Sequence, residues 1–295
     1  MQKVFLSLVI FATPISALAA GFSLAEQNGS GLGNAFAGGA AAAEDASTIF
    51  FNPAGMTYIQ GSQLVGALNI IKPSEQFNNQ GSVAGINRPL GGDGGDAGDL
   101  TLLPSFYYTM DLTGNIKFGL GVNAPFGLKT EYNADWMGRF QAVKSELKTI
   151  NINPALAFKV NEQLSLGFGV SAMWAKAELT NAVNFGAAEG FSSVKGDDWG
   201  FGFNLGAIYQ LTSDTRIGAA YRSKIDQHLN GDVAMVRPSF IPNAGAAADG
   251  NIHADLTLPE TLSLSTFSRL NNKWDLMGDI TWTRWSQFKD LSIYR

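Results

Sequence analysis

The chain has 295 residues, of which 15 % are charged and 11 % aromatic, and its formal net charge is −5. This negative charge argues against a nucleic-acid partner, and the absence of cysteine excludes disulfides and thiolate metal sites. Charged residues are rarer than the ~25 % typical of soluble domains. The 34 glycines and 20 phenylalanines instead suit an all-β protein with an apolar surface.

Residues 1–19 predict a secretory signal peptide. Lys3 gives the positive start, residues 4–12 form an apolar core, Pro14 breaks that core, and Ala17-Leu18-Ala19 offers a small-x-small cleavage site. No later run approaches the ~18 apolar residues of a membrane helix. The mature chain is therefore expected to be exported and to cross a membrane, if at all, with strands.

Residues 20–60 are rich in Gly, Ala, Ser and Asn and show no strand-like alternation. They lead to Asn52-Pro53-Ala54. Pro53 lacks an N–H and can end a hydrogen-bonded ladder without leaving a donor unpaired, and Asn52 can bond its own backbone. From the residues alone, this tripeptide is either a turn before the first strand or a functional element.

After residue 60, apolar residues alternate with small or polar ones, which predicts strands. Many of these runs have ten or more residues, as a tilted membrane strand needs, whereas strands of soluble sandwiches have ~5–6. Nine strands are predicted, near 61–72, 100–112, 115–128, 145–160, 163–179, 198–212, 215–230, 252–270 and 273–289. The sequence therefore predicts a transmembrane antiparallel β-barrel, with Phe201 and Phe203 facing lipid.

The connections support the barrel, because short turns alternate strictly with long loops, as in outer-membrane barrels. The predicted long loops are 73–99, 129–144, 180–197 and 231–251. The glycine-rich stretch 91–96 is read as a flexible loop rather than a calcium site. A barrel must close, because open edges leave unpaired backbone groups in lipid. With nine strands and a tenth beginning near Ser292, the barrel of residues 61–295 is expected to be incomplete at the C-terminus.

Several segments resemble FadL-type outer-membrane long-chain fatty acid transporters, a family that includes aromatic-hydrocarbon importers. They are AGFSLAEQNGSGLGNAFAGGAAAAEDASTIFFNPAGM, WGFGFNLGAIYQL, AAYRSKI, LPETLSLSTFSRLNNKWDL and TWTRWSQF. The resemblance implies a fourteen-stranded barrel, of which about nine to ten strands lie in this chain. It also implies an N-terminal hatch, residues 20–60, that plugs the lumen, and a location in a Gram-negative outer membrane.

The function implied is passive import, without a chemical step or a cofactor. A hydrophobic molecule is captured, the hatch rearranges, and the molecule leaves sideways into the membrane. The alternative within the family is an importer of aromatic hydrocarbons. The expected partners are a hydrophobic small molecule and outer-membrane lipid, and the chain is expected to be monomeric. The resemblance assigns ligand-binding and hatch roles to Phe22, Leu24, Phe50, Phe51, Asn52, Pro53 and Ala54.

Pro125 interrupts the third predicted strand. A proline within a closed barrel removes a ladder hydrogen bond, and Gly127, two residues later, makes a bend easier. The family has an inward kink of its third strand that opens the wall sideways. The resemblance therefore implies a lateral gate formed by Asn123, Pro125, Phe126 and Gly127. The alternative is that the strand simply ends there.

A fatty-acid carboxylate needs a cation or N–H donors. Strand parity places Arg216, Arg222, Lys224 and Lys159 in the lumen, either as head-group partners or as partners of acidic residues. Asn181 stands where a family example has arginine, which leaves room for a neutral substrate.

Two predicted outer loops carry exposed apolar side chains. They either form a capture groove or pack the loops together. These side chains are Phe185, Phe191, Phe240 and Ile241.

Two other classes are less well supported. A Ser-His lipase barrel would use His228 or His253, but no serine has a nucleophile context. A general porin would not need the plug-like N-terminus.

Overall fold

The computed structural model describes residues 21–85, 88–239, 249–288 and 291–295. The predicted signal peptide, Phe240 and Ile241 lie outside these ranges. Within them, no helix is both long and apolar enough to cross a membrane. The dominant element is one antiparallel sheet of thirteen strands, which are as follows: β1 Gln63–Ile71, β2 Thr101–Thr113, β3 Ile116–Asn123, β4 Gly127–Glu131, β5 Lys144–Lys159, β6 Leu164–Asn184, β7 Glu189–Gln210, β8 Thr215–Arg222, β9 Ile225–Val236, β10 Gly250–Leu258, β11 Thr261–Asn271, β12 Trp274–Thr283 and β13 Ile293–Tyr294.

Three predicted strands are each broken in two. β3 and β4 are separated at residues 124–126, β8 and β9 at 223–224, and β10 and β11 at 259–260. The main path of the sheet therefore has nine members, in the order β1-β2-β3-β5-β6-β7-β8-β11-β12. Among the described residues, β1 and β12 each pair on one side only, so the sheet is open there.

The prediction of a tenth strand near Ser292 is wrong. Ile293 of β13 pairs with Ala254 of β10. β10 and β11 are the two halves of one predicted strand, and β11 pairs with β12. β13 therefore continues the ninth strand after an interruption that contains the short 3-10 helix Trp285–Gln287.

The predicted loop 180–197 is also wrong. β6 runs to Asn184 and β7 begins at Glu189, so only residues 185–188 form the turn. These strands have 21 and 22 residues, about twice the ~9–11 that span a bilayer. The hairpin therefore projects beyond the membrane, where its outward side chains need not be apolar and the alternation that marks the spanning part is lost.

The two faces of the sheet differ as the alternation predicts. On β7, Phe201 is 73 % exposed and Phe203 is 40 % exposed, whereas Asn204, on the opposite face of the same strand, is 2 % exposed. We call the end with the short connections, such as 160–163 and 211–214, the turn end, and the opposite end the loop end.

Residues 21–60, called the inner segment, lie against the inner face of the sheet. They contain α1 Gly39–Ala42, α2 Thr48–Phe51 and the 3-10 helices Gly31–Asn34 and Pro53–Tyr58. Pro53–Tyr58 packs on β3, β5, β6 and β7, and α1 packs on β8 and β11. Irregular backbone is tolerated at membrane depth only when protein encloses it, and this packing provides that enclosure.

Glycines of the wall allow the inner segment to approach closely. A Cβ added at Gly206 would lie less than 3 Å from Asn52, and one at Gly218 would lie equally close to the backbone of Ala40. Gly167 faces the backbone of Ala54 in the same way. The small residues on the inner face of the strands are therefore the surface on which the inner segment fits.

Among the described residues, apolar side chains form three clusters, of which the smallest joins Ala41 and Ala42 of α1 to Phe267 of β11, with Met277 packed on it. The turn-end cluster joins the inner segment to the wall and consists of Ala46, Ile49, Met56, Tyr107, Ala155 and Ala157, with Phe50 and Val65 at its edge. The loop-end cluster consists of Phe126, Leu147, Met173, Ala175, Ala177, Ile225, Leu229, Ala254, Leu256 and Leu258, with Phe22, Trp285, Phe288 and Leu291 packed on it.

Candidate functional site

Asn52 ties the inner segment to the wall. Its side chain is fully buried, and its Nδ2 lies 2.7 Å from the carbonyl oxygen of Ala40 and 3.1 Å from that of Ala207 in β7. Its Oδ1 accepts from the backbone N–H of Ala54 at 3.0 Å, which caps the 3-10 helix that begins at Pro53. Asn52, Pro53 and Ala54 are all buried, so this motif is an anchoring turn at the turn end.

Two of the predicted cations also hold the inner segment. Arg216 donates from Nε to the carbonyl of Ala41 at 2.6 Å, at the C-terminal end of α1. Arg222 donates to the carbonyl of Phe50 at 2.8 Å and lies over the Phe50 ring, 4.5 Å from its centroid. Both guanidinium groups face the lumen, as parity predicts, but each already has carbonyl partners there.

The prediction that Lys224 faces the lumen is wrong. The break after β8 shifts the parity, because Ser223 and Ile225 are buried while Lys224 is exposed. The Lys224 ammonium pairs with Asp226 at 2.8 Å. Lys159, at the turn end of β5, pairs with Glu162 in the adjacent turn at 2.8 Å.

The third predicted strand breaks at Pro125, and the break leaves a gap in the wall. β2 pairs with β3 only as far as Phe106 and Val122. Beyond that point, residues 101–105 pair with β1, and β4 pairs with β5. No named strand of the described structure joins β2 to β4, so the wall is interrupted at the loop end.

The start of the inner segment covers one edge of this gap. Leu24 donates its N–H to the carbonyl of Pro125, and Gly127 donates its N–H to the carbonyl of Phe22, both at 2.9 Å. Ser23 thereby faces Phe126 in an antiparallel bridge. Gln27 donates its side-chain amide to the carbonyl of Ala124 at 3.1 Å. The backbone groups freed by the break thus find partners within the same chain, as a site at membrane depth requires.

Phe22 extends from this bridge into the loop-end cluster. Its ring makes edge-on contacts with Phe126, Trp285 and Phe288, with centroids 5.1–5.9 Å apart. Leu24 lies beside Gly127, where an added Cβ would be 3.0 Å from its Cδ1. The predicted gate residues Phe126 and Gly127 and the predicted ligand-binding residues Phe22 and Leu24 therefore form one site.

Phe50 and Phe51 lie elsewhere. Phe50 packs on the turn-end cluster, and Phe51 stacks on Phe36 within the inner segment at 5.9 Å. The sequence reading missed Trp285 and Phe288, because it treated 273–289 as one strand. It also missed Leu147 and Leu256, which share the inner faces of predicted strands and could have been found by parity.

Asn123, the last residue of β3, is buried and belongs to a chain of polar contacts. Its Nδ2 donates to the Tyr107 hydroxyl and its Oδ1 accepts from Asn151, both at 3.1 Å. The Tyr107 hydroxyl in turn donates to the carbonyl of Gln27 at 3.0 Å. The gap is therefore linked to the inner segment by side chains as well as by backbone.

Arg139 fixes the connections at the loop end. It is 3 % exposed, forms a two-pronged pair with Glu189 at 2.8 and 2.7 Å, and donates to the carbonyls of Pro89 and Leu90. In the same region, the backbone N–H of Glu75, the Ser74 hydroxyl and the N–H of Gly98 hold the pKa of Asp96 below its usual value. The predicted flexible loop therefore has defined contacts.

The predicted capture residues are divided. Phe185 lies in the turn between β6 and β7, and Phe191 lies on β7, where it pairs with Val236 of β9. Asn181 lies on β6 and donates to the carbonyl of Ala182 at 3.1 Å. The two histidines lie on β9 and β10, where His228 contacts Asp255 at 2.7 Å and His253 stacks on Tyr294.

The chain is similar in sequence to known outer membrane proteins. The profile of a family described as "Outer membrane protein transport protein (OMPP1/FadL/TodX)" matches residues 10–294. The long-chain fatty acid transport protein of Escherichia coli is 27 % identical over 97 % of this chain and 70 % of its own length.

Two solved structures share the fold. A FadL homologue from Pseudomonas aeruginosa superposes with a TM-score of 0.80 at 27 % identity, covering 93 % of this chain and 72 % of that one. The toluene transporter TodX of Pseudomonas putida gives 0.66 at 19 % identity over 84 % and 68 %. These matches confirm the prediction of a transmembrane antiparallel β-barrel and of a transport protein rather than an enzyme. The chain belongs to the OMPP1/FadL/TodX family of outer membrane transport proteins.

Proposed function

We propose that this chain imports long-chain fatty acids or other hydrophobic molecules across the outer membrane and releases them sideways through the gap at the third strand. The observation that carries the proposal is that residues 22–24 both pair with the edge of the gap and place Phe22 in the loop-end cluster. A single movement of these residues would expose an apolar pocket and open the wall beside it.

The names of similar proteins support this substrate class. The Escherichia coli relative is named for long-chain fatty acid transport, whereas TodX is named for toluene. Aromatic hydrocarbons are therefore the second candidate. Both classes consist largely of hydrocarbon, and each buried CH₂ would lose ~0.8 kcal/mol on exposure to water, so a path that leads directly into the membrane avoids that loss.

The proposed sequence has three steps. The predicted capture residues, Phe185, Phe191, Phe240 and Ile241, first bind the molecule. It then displaces Phe22 and occupies the loop-end cluster. Finally, residues 22–24 leave the edge of the gap and the molecule passes between β2 and β4. In this proposal residues 20–60 act as the hatch of a monomer, and Asn52-Pro53-Ala54 is its fixed base.

A reversible cross-link tests the gate. Ser23 and Phe126 face each other as a non-hydrogen-bonded pair, in which Cα atoms lie about 4.5 Å apart, within the range that a disulfide can bridge. Because the chain has no native cysteine, a variant carrying Ser23→Cys and Phe126→Cys forms a single defined bond. We expect uptake of labelled oleate or toluene to stop in the oxidised variant and to return on reduction.

Two controls accompany this test. Each single cysteine variant should transport equally in oxidising and reducing conditions. Normal uptake by the oxidised double variant would refute release through this gap. Liposome swelling with sugars separates the porin alternative: we expect it to be weak, and strong swelling would favour general diffusion.

A further inference from the structure

A layer of buried amide side chains lies at the floor of the loop-end cluster. Along the inner face of β5, Leu147 belongs to the loop-end cluster and Ala155 to the turn-end cluster. Between them stand Asn151 and Asn153, which are 0 % and 1 % exposed. Two residues advance a strand by about 7 Å, so this polar layer is thin. We call Gln27, Asn151, Asn153 and Gln227 the amide layer.

Hydrogen bonds fix the orientation of Asn151. The Tyr107 hydroxyl donates to the backbone carbonyl of Gln27, so its oxygen must accept from the Nδ2 of Asn123. The Oδ1 of Asn123 then accepts from the Nδ2 of Asn151. This series of hydrogen bonds ends at the backbone carbonyl of Gln27, which can only accept, so the direction of every bond in the series is fixed. The side-chain oxygen of Asn151 is therefore the atom left without a partner among the described residues.

The other three amides are oriented directly by backbone carbonyls. Asn153 donates to the carbonyl of Val170 at 2.7 Å, and Gln227 donates to that of Met173 at 3.1 Å. Gln27 donates to the carbonyl of Leu24 at 2.9 Å and to that of Ala124. In each case the side-chain oxygen is buried and has no protein partner within the described part of the chain.

The amide layer adjoins the loop-end cluster. Asn151 stands directly opposite Met173 in the β5–β6 register, and Gln227 bonds to the backbone of the same Met173. Met173 belongs to the loop-end cluster, as do Ile225 and Leu229 on either side of Gln227. A ligand whose apolar body fills this cluster would bring its polar end to these oxygens.

We propose that the amide layer binds the head group of a hydrophobic substrate that carries a hydrogen-bond donor and no negative charge, such as an alcohol. This inference rests on the proposed import function and, among the substrates named there, selects uncharged molecules over ionised fatty acids. Buried carbonyl oxygens gain a partner from a hydroxyl group, gain nothing from an alkane, and repel a carboxylate, which has only acceptors when ionised. Arg222 donates to the carbonyl of Phe50 and lies within reach of Ser171 Oγ at 3.5 Å, so two of its donors are already engaged.

A ligand series of equal chain length tests the inference. Binding of n-octane, 1-octanol and octanoate to the protein in lipid nanodiscs can be followed by saturation-transfer NMR, with empty nanodiscs correcting for partition into lipid. One hydrogen bond to a buried acceptor corresponds to roughly a fivefold gain. We therefore expect 1-octanol to bind about fivefold more tightly than octane, and octanoate to bind no better than octane.

Two variants locate the effect. Asn151→Leu and Gln227→Leu each remove one open oxygen, together with the amide donor to Asn123 or to the carbonyl of Met173, and each should reduce the preference for 1-octanol over octane. Thr109→Val is the matched control, because Thr109 is also fully buried but its hydroxyl is already bonded to the carbonyl of Phe118. This control should keep the wild-type preference.

The outcomes separate this inference from the import proposal. Equal binding of octane and 1-octanol by the wild-type protein, or tighter binding of octanoate, would overturn the amide layer as a head-group site and leave import intact. Unchanged preference in both leucine variants would do the same. Failure of the wild-type protein to bind octane at all would instead contradict the apolar pocket and hence the import proposal.

Discussion

The inner segment is held very differently at its two ends. At the turn end, Asn52, Arg216 and Arg222 bind carbonyl groups, and wall glycines bring backbone against backbone. At the loop end, residues 22–24 are held by two backbone hydrogen bonds and by ring contacts of Phe22. In the proposed mechanism, the first residues of the inner segment move, while the Asn-Pro-Ala turn stays in place.

The largest expected effect comes from the fixed end. Gly218→Ala would place a Cβ against the backbone of Ala40, which cannot move without displacing α1. We expect a loss of about 3 kcal/mol in the free energy of unfolding, near the upper end of overpacking effects. Gly278→Ala is the control, because its nearest neighbour, a Thr266 methyl carbon, is 3.8 Å away. Denaturant titration of both variants measures the difference, and equal stability would show that the turn end is not tightly fixed.

A smaller loss is expected for Asn52→Ala. This change removes the side-chain bonds to Ala40 and Ala207 and the cap on Ala54, which together should lower the unfolding free energy by about 2 kcal/mol. Asn79→Ala, in an exposed turn, should change it by less than about 0.5 kcal/mol. Should both variants melt at the wild-type temperature, the anchoring role of Asn52 would be wrong.

The smallest effect on stability is expected at the movable end. Gly127→Leu would press on Leu24 and fill the gap, while leaving the barrel folded. We expect uptake of hydrophobic substrate to fall about tenfold, equivalent to a barrier about 1.4 kcal/mol higher. Gly66→Leu, on the exposed face of β1 with a Phe106 ring 3.6 Å away, is the control. Normal uptake by the Gly127 variant would contradict a gate at this position.

The sequence predicts the positions of the wall strands better than the positions at which these strands break. Alternation locates nine strands and the outward side of Phe201, because lipid demands apolar side chains over the whole spanning length. Proline is a less reliable sign. Pro125 and Pro259 both lie where strands break. Pro154, in contrast, lies within β5 and pairs with Leu120 of β3. Whether a proline breaks a strand depends on neighbours that the local sequence does not identify.

The site was predictable only where it coincides with a strand or a family motif. Strand parity correctly predicts that Arg216 and Arg222 face the inside of the sheet. It fails for Lys224, because the break at Ser223 changes which residues of the chain face inward. The hydrogen bonds between residues 22–24 and residues 125–127 join positions about one hundred residues apart in the sequence. Nothing in either segment alone indicates its partner, so the contact between them emerges only in three dimensions.

The glycine-lined wall has a consequence for how the protein folds. The hydrogen bond from the Ala40 N–H to the Ser265 hydroxyl spans 225 positions of sequence, so the inner segment depends on a wall strand that is synthesised much later. Non-local contacts of this kind slow folding, and four-residue helices have no stability of their own in water. The inner segment is thus expected to take its shape only once the wall strands on which it packs have formed.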